Sequence, residues 1–251
     1  MLHSLRFSLR SLLAAVLAAG VLAGFGARTY LRGERQRQIV SAATAAGAHI
    51  EYDFEHYKDS RWYAPARWLA PRLGVNQAGN VYEFSFPGTP ISSWRPIVAS
   101  AAELQTIQRF EACSEDLNSQ DLLQLAKFKQ LKELGFNYVG DVPSLESLAT
   151  LPHLERLSIH GNGLTAAKLA PLRTAPKLRV LDLAHTDASD EIIALLTTFP
   201  HLEVLHLTSS DITVTSLAGL KKSKSLKILH VDSCKQGEEN LLPGVKIVAE
   251  H

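Results

Sequence analysis

A period of about 24 residues runs through the second half of the chain and limits what it can become. "LERLSIHGNGLT", from Leu154, is matched by "LRVLDLAHTDAS" from Leu178, "LEVLHLTSSDIT" from Leu202 and "LKILHVDSCKQG" from Leu226. Upstream, "LKELGFNYVGD" starts at Leu131 and "IQRFEACSEDL" at Ile107, so successive starts lie 24, 23, 24, 24 and 24 residues apart. Position one of each unit is Ile107, Leu131, Leu154, Leu178, Leu202 or Leu226. Position four is Phe110, Leu134, Leu157, Leu181, Leu205 or Leu229, and position six is Ala112, Phe136, Ile159, Leu183, Leu207 or Val231. All eighteen are apolar in a chain that is 46% hydrophobic, a coincidence on the order of one in a million. A fixed period of this length means stacked repeats sharing one core.

Written out, the unit is L-x-x-L-x-L-x-x-N-x-L, and in this the chain resembles the leucine-rich repeat family from Ile107 to its end. The resemblance implies an α/β solenoid, with a short parallel strand per unit on a concave face and helices on the convex face. Positions four and six point inward, while three, five and seven point out onto the concave face. Position nine, here Asn162, Thr186, Ser210 and Cys234, is implied to bond backbone groups of the turn; Glu115 and Val139 depart from it. Helical stretches follow each turn, in "DLLQLAKF", "SLESLATL", "AAKLAPL", "DEIIALLTTF" and "TSLAGLKK", three of them closed by Pro152, Pro176 or Pro200. "LLPGVKIV" reads as a shortened last unit whose Val245 and Val248 cover the end of the core.

Three segments follow: an anchor over 1–27, a juxtamembrane module over 28–106 and the solenoid over 107–251. Ser11 to Ala27 carries no charge, with Arg6 and Arg10 before it and Arg28, Arg32, Arg35 and Arg37 after. As a helix it spans roughly 25 Å against a bilayer core of about 30 Å. Snorkelling by Arg10 and Arg28, with Tyr30 at the interface, closes the gap. This predicts a single-pass membrane protein with the side of the membrane left open, because arginines flank both ends. The rival is a cleaved signal peptide, given the small residues from Ala19 to Ala23.

In the module, "RQRQIVSAATAAGA" reads as a helix with Ile39, Val40 and Ala43 on one side. "HIEYDFEH" alternates as a strand, with Ile50, Tyr52 and Phe54 on its inner face. "RWYAPARWLAPRLG" and "NVYEFSF" suggest a short helix and a second strand, packed by Trp62, Trp68 and Phe84. The order as a whole resembles a group of bacterial membrane-anchored leucine-rich repeat proteins abundant in planctomycetes. Its "RFSLR-[ST]-LL" segment falls at Arg6 to Leu13, "G-x-x-[IV]-x-Y-D" at Gly47 to Asp53, and "W-L-x-x-x-L-G" at Trp68 to Gly74.

Catalytic motifs are missing: no P-loop, H-E-x-x-H, G-x-S-x-G, C-x-x-C or dinucleotide glycine signature occurs. The sequence therefore predicts neither an enzyme nor a cofactor, and a net charge of +1 gives no reason to expect nucleic acid. The outward columns are more informative. Column three ends Val180, Val204, Ile228, an apolar strip where polar residues belong, beside Asp182, His206 and His230 in column five. With Thr208 and Asp232 from column seven, these eight residues are the expected binding face for a protein partner. The alternative is a ligand or metal sensor in which Asp182, His206 and His230 converge on an ion. The remaining histidines, including His160 and His185, read as solvent-facing turn residues. Cys113 and Cys234 stand five strands apart, roughly 24 Å, so no bond is expected between them.

Overall fold

The computed structural model describes residues 9–209, 212–232 and 242–250. A long helix α1 (Leu9–Ala45) leads into β1 (His49–Tyr52), the single-turn α2 (Asp53–His56), α3 (Ala64–Leu73), α4 (Val75–Ala78), β2 (Val81–Phe86) and α5 (Ile91–Ala101). Then come β3 (Arg109–Cys113), α6 (Ser119–Leu125), β4 (Glu133–Val139), β5 (Arg156–Gly161), α7 (Ala166–Leu169), β6 (Val180–Asp182) and α8 (Asp190–Leu196). The chain closes with β7 (Val204–His206), α9 (Val214–Gly219), β8 (Ile228–Asp232) and β9 (Lys246–Glu250). Strands join in sequence order into one nine-stranded sheet, antiparallel between β1 and β2 and parallel from β2 onward. This is the ladder expected of a leucine-rich repeat solenoid.

The ladder is in register with the repeat. Leu134, Leu157, Leu181, Leu205 and Leu229 are successive Cα partners, and all are at most 1% exposed. Parallel strands about 4.8 Å apart stack these side chains into one continuous apolar column. Burying a leucine this fully contributes about 2 kcal/mol. Between the strands the return path is helical, with 3-10 turns at Glu146–Thr150, Ala170–Thr174 and Leu220–Lys222. Thr186 fulfils the turn role of position nine: it is buried, and its hydroxyl donates to the Leu183 carbonyl at 2.6 Å. Asn162 does not, being exposed; the Gly163 and Leu164 amides donate instead to the Asp187 carboxylate of the next unit. Ser210 and Cys234 lie outside the described residues, so the turn and cysteine expectations placed on them do too.

The boundary at residue 106 is not a break in the structure. β2 pairs in parallel with β3, matching Phe84 to Phe110 and Phe86 to Ala112. Val81, Phe84 and Phe86 hold positions one, four and six of a further rung, and each is at most 1% exposed. Helix α5 supplies that rung's return helix, and its Trp94, fully buried, meets Phe110 edge to face at 5.6 Å. Phe86 also lies 5.8 Å from Phe110. The module thus contains the first rung of the ladder. At the far end, β9 pairs Ile247 with Leu229 and Val248 with His230. Ile247 therefore holds the inward column, and Val248 lies outward in column five instead of covering the core.

Two expectations for the module change. The strand in "HIEYDFEH" stops at Tyr52, because Asp53 accepts from the amides of Phe54 and Asn80 and from the Asn80 side chain at 2.7 Å. That carboxylate turns the chain into α2, and both Asp53 and Phe54 are buried. Trp62 and Trp68 are 79% and 60% exposed, so the packing tryptophan is Trp94. Helix α1 does place Ile39 and Ala43 in the core, and Gln36 Nε2 donates to the Gly79 carbonyl at 2.9 Å. Its N-terminal half leaves the body: Leu13, Val16, Leu17, Val21 and Leu22 are between 55% and 71% exposed. Among the described residues, no helix is long and apolar enough to cross a membrane. Residues 1–8, and the side chains at 9–12, 14, 15 and 25 that belong to the expected anchor, lie outside the described set.

Candidate interaction surface

The outward face of the sheet is set by the strand period: positions four and six are fixed inward, so three and five must face out. Val180, Val204 and Ile228 are successive register partners in column three, each half-buried. Asp182, His206 and His230 run parallel to them in column five, also half-buried. The expected apolar strip beside a polar strip is therefore present, and the register brings six of the eight candidate residues together.

Thr208 and Asp232 sit differently. β6 and β7 end at position five, and the chain then turns, leaving Thr208 only 9% exposed and Ala184 buried. Asp232 Oδ1 accepts from the Ser209 amide at 2.8 Å and holds the turn after β7, where Ser209 has φ of 54°. Asp232 supports the neighbouring turn, and Thr208 offers a partner little surface.

Column five does not converge on a point. The rings of His206 and His230 stack as parallel plates, 3.9 Å between centroids and 10° between planes. Asp182 Oδ1 lies 3.3 Å from His160 Nε2 and accepts from the Ala184 amide at 3.1 Å. Burial by itself raises the Asp182 pKa. The His160 hydrogen bond, the Ala184 amide and the nearby His160 and His206 rings outweigh it, leaving Asp182 below the usual 3.8. Among the described residues no group of three or more His, Cys, Asp or Glu side chains is arranged to hold a metal ion. A straight ladder explains this, since its members are spaced by the strand repeat and not around a centre.

Two features escaped the sequence. His160 is half-buried at position seven, bonded to Ser158 Oγ at 3.1 Å as well as to Asp182, and is not a free turn residue. Tyr138 occupies a bulge in β4, with register shifting between Phe136 and Val139, φ of 58° and a ring 76% exposed. A bulge inserts one residue without changing the apolar pattern on either side, and the unit that holds it is one residue shorter than its neighbours and not longer, so the spacing gives no sign of it.

Toward β1 the same face is charged. Arg109 lies 3.6 Å from Glu83 and 3.7 Å from both Glu111 and Glu133. Gly135, with no side chain in column five, floors a shallow depression of about 220 Å³ between Glu111 and Ser158, walled by Arg109, Arg156 and His160. The face thus grades from an ion-paired end, through a polar notch, to the apolar strip.

No family model and no curated protein matches the chain. Solved structures do, 87 chains in all. One is the complex of TLR13 with ssRNA13, at 18% identity and a TM-score of 0.43, covering 62% of this chain and 26% of that one. The chain thus spans about a quarter of the TLR13 chain. An internalin (InlF) of Listeria monocytogenes is similar at 13% identity and TM-score 0.38, over 78% of this chain and 76% of its own. Internalin C2 of the same organism gives 17% and 0.41, over 74% and 92%. The repeat architecture itself stands on the register of the ladder.

Proposed function

We propose that this protein is a membrane-tethered interaction module that binds a protein partner on the strand face of its solenoid. The observation that carries the reading is the strip of Val180, Val204 and Ile228, held in register on an outward face flanked by Asp182, His206 and His230. Three β-branched side chains left half-exposed in line form a preformed apolar seat, and a rigid ladder positions it without folding cost at binding. The face works by recognition alone; its ion pairs and histidine stack fix shape and polarity. Tethering is supported by the uncharged run from Ser11 to Ala27 and by the exposed apolar half of α1. The resemblance to planctomycete-type anchored repeat proteins points the same way.

A photoreactive side chain at Val204 tests the face. In the full-length chain in its native membranes it should yield one discrete crosslinked protein, while the same group at Arg173, exposed on the opposite, helical side, should not. Val180→Asp with Ile228→Asp should abolish the product. Equal crosslinking from both positions would refute a strand-face site. Carbonate extraction tests the tether: the unshortened chain should stay in the membrane pellet, and a soluble chain beginning near residue 20 to 28 would replace the anchor by a cleaved signal.

A further inference from the structure

The exposed tryptophans of the module stand where the sequence placed core residues, and nothing in the repeat ladder uses them. Trp62 is 79% exposed, Trp68 60% and Leu73 58%, all at or just before α3. Several large apolar side chains left exposed within one short segment mark a candidate partner or membrane surface. Arginines accompany them: Arg61 lies 5.4 Å from the Trp62 ring centroid, and Arg72 lies 4.1 Å from that of Trp68. Residues 57–75 hold Lys58, Arg61, Arg67 and Arg72 against Asp59 alone, a local charge of +3 in a chain whose total is +1.

The place of this patch along α1 gives it a meaning. Helix α4, which follows α3 after Gly74, packs on α1 at Gly33, where an added Cβ would come within 2.9 Å of Gln77 Cγ and 3.1 Å of the Asn76 carbonyl. Gln36 reinforces the joint through Gly79 and Asn76. Gly33 is six residues beyond Ala27, the end of the uncharged run, or about 9 Å along a helix axis. With that run of roughly 25 Å centred in a hydrocarbon core of about 30 Å, the core edge lies about 2 Å beyond Ala27, so Gly33 and the α4 packed on it stand about 7 Å outside it, at the outer side of a headgroup layer about 5–7 Å thick. Aromatic rings with an apolar body and a polar edge settle at that depth, and arginines there meet lipid phosphates.

We infer that Trp62, Trp68 and Leu73, with Arg61 and Arg72, form a lipid-facing surface that seats the base of the solenoid on an anionic bilayer. The occupant is the headgroup layer of anionic phospholipid: the positive patch selects the charge, and its attachment through α4 to α1, six residues beyond the uncharged run, selects the membrane. This inference rests on the tethering reading given above. It adds a second contact, so the solenoid is held at a fixed attitude and does not swing on one helix.

The chain has three tryptophans, and Trp94 is fully buried, which makes emission a clean test. The full-length chain is reconstituted into phosphatidylcholine vesicles, with or without phosphatidylglycerol, carrying bromine on the acyl chains near the headgroups. In the anionic vesicles most of the Trp62 and Trp68 emission should be lost and Trp94 emission should remain. Trp62→Phe with Trp68→Phe should leave only the unquenched component, while Arg61→Glu with Arg72→Glu should restore most of the emission without releasing the chain from the vesicles. A chain that floats with the vesicles but shows no quenching overturns the inference and leaves the tether standing. A chain that does not float overturns both.

Discussion

Glu83 and Arg109 face each other across β2 and β3, with Glu83 Oε2 at 3.6 Å from Arg109 Nε. Arg109 shares its charge with Glu111 and Glu133, while the Glu83 side chain is only 10% exposed. Burial raises the Glu83 pKa, Arg109 lowers it, and Glu51 and Glu111 push it up again; the net is above the usual 4.5. A raised carboxylate binds its proton more tightly in the folded state than in the unfolded one. Its cost is therefore absent below 4.5, accrues as pH climbs toward the folded value, and is complete above it. Thermal melts of Glu83→Gln should run above wild type near neutrality and merge with it below pH 4.5. A variant melting below wild type at neutral pH would show that the Arg109 pair outweighs burial.

Asp182, on the same face, titrates with the opposite sign. Its folded pKa is lowered from 3.8, so its stabilising contribution is present above 3.8 and is lost as pH falls through the folded value. Asp182→Asn should therefore melt below wild type at neutrality, with the gap closing in strong acid. His160→Ala, which removes the principal partner at 3.3 Å, should reproduce most of the loss and add little to it in the double variant.

Two glycines separate backbone packing from surface shape. A Cβ at Gly161 would lie 2.2 Å from the Val139 carbonyl oxygen, whereas at Gly135 its nearest neighbour is the flexible Glu111 side chain at 3.3 Å. Gly161→Ala should cost about 1–3 kcal/mol, as overpacking against backbone does. Gly135→Ala should stay within about 0.5 kcal/mol, the range of ordinary surface changes, while filling the notch beside Glu111 and Ser158. Urea unfolding of both variants checks the contrast; equal losses would contradict it.

How much was legible follows from what each residue does. Columns one, four and six could be read directly, because Leu157, Leu181 and Leu205 have only one tolerable environment, the inside of the stack. The rung at Val81, Phe84 and Phe86 is not legible from the repeat because it precedes Ile107 by 26 residues, off the 24-residue period. Trp62 and Trp68 read as packing residues, yet Trp62, just before α3, and Trp68, within it, are both exposed, each against an arginine. His160 and Asp182 come together only after the ladder sets their strands side by side. Tyr138 left no trace in the pattern, since one extra residue in a bulge is offset within the same unit.

The joint between α1 and the rest of the chain is a buried polar cluster. Gln36 Nε2 donates to the Gly79 carbonyl, and Tyr52 donates its hydroxyl proton to Asn76 Oδ1 at 2.9 Å, burial pushing the Tyr52 pKa up to about 12. Gln36→Leu leaves the Gly79 carbonyl buried without its donor, a loss of about 1–3 kcal/mol. Because the cluster touches no later rung, hydrogen exchange should quicken in the C-terminal half of α1 and stay unchanged from β4 to β8. Uniform loss of protection would mean that α1 and the ladder unfold as one unit.

The last expectation concerns where the ladder begins. If residue 107 were a true domain boundary, a fragment starting there would fold as well as the full chain. The structure argues otherwise: removing β2 strips the hydrogen-bonded partner from β3, and removing Trp94 and Phe86 takes two ring contacts from Phe110, now 1% exposed. An uncovered edge strand with an apolar flank associates with copies of itself. A fragment of residues 107–251 should therefore elute as aggregate, whereas one starting at residue 33, which retains β1, β2 and α5, should be monodisperse and melt cooperatively. Within the full chain, Phe84→Ala should cost about 3–5 kcal/mol, as for any large aromatic at the centre of a core. A monomeric 107–251 fragment that matched the longer one in urea would show that the rung at Val81, Phe84 and Phe86 is an ornament on the solenoid and not its first layer.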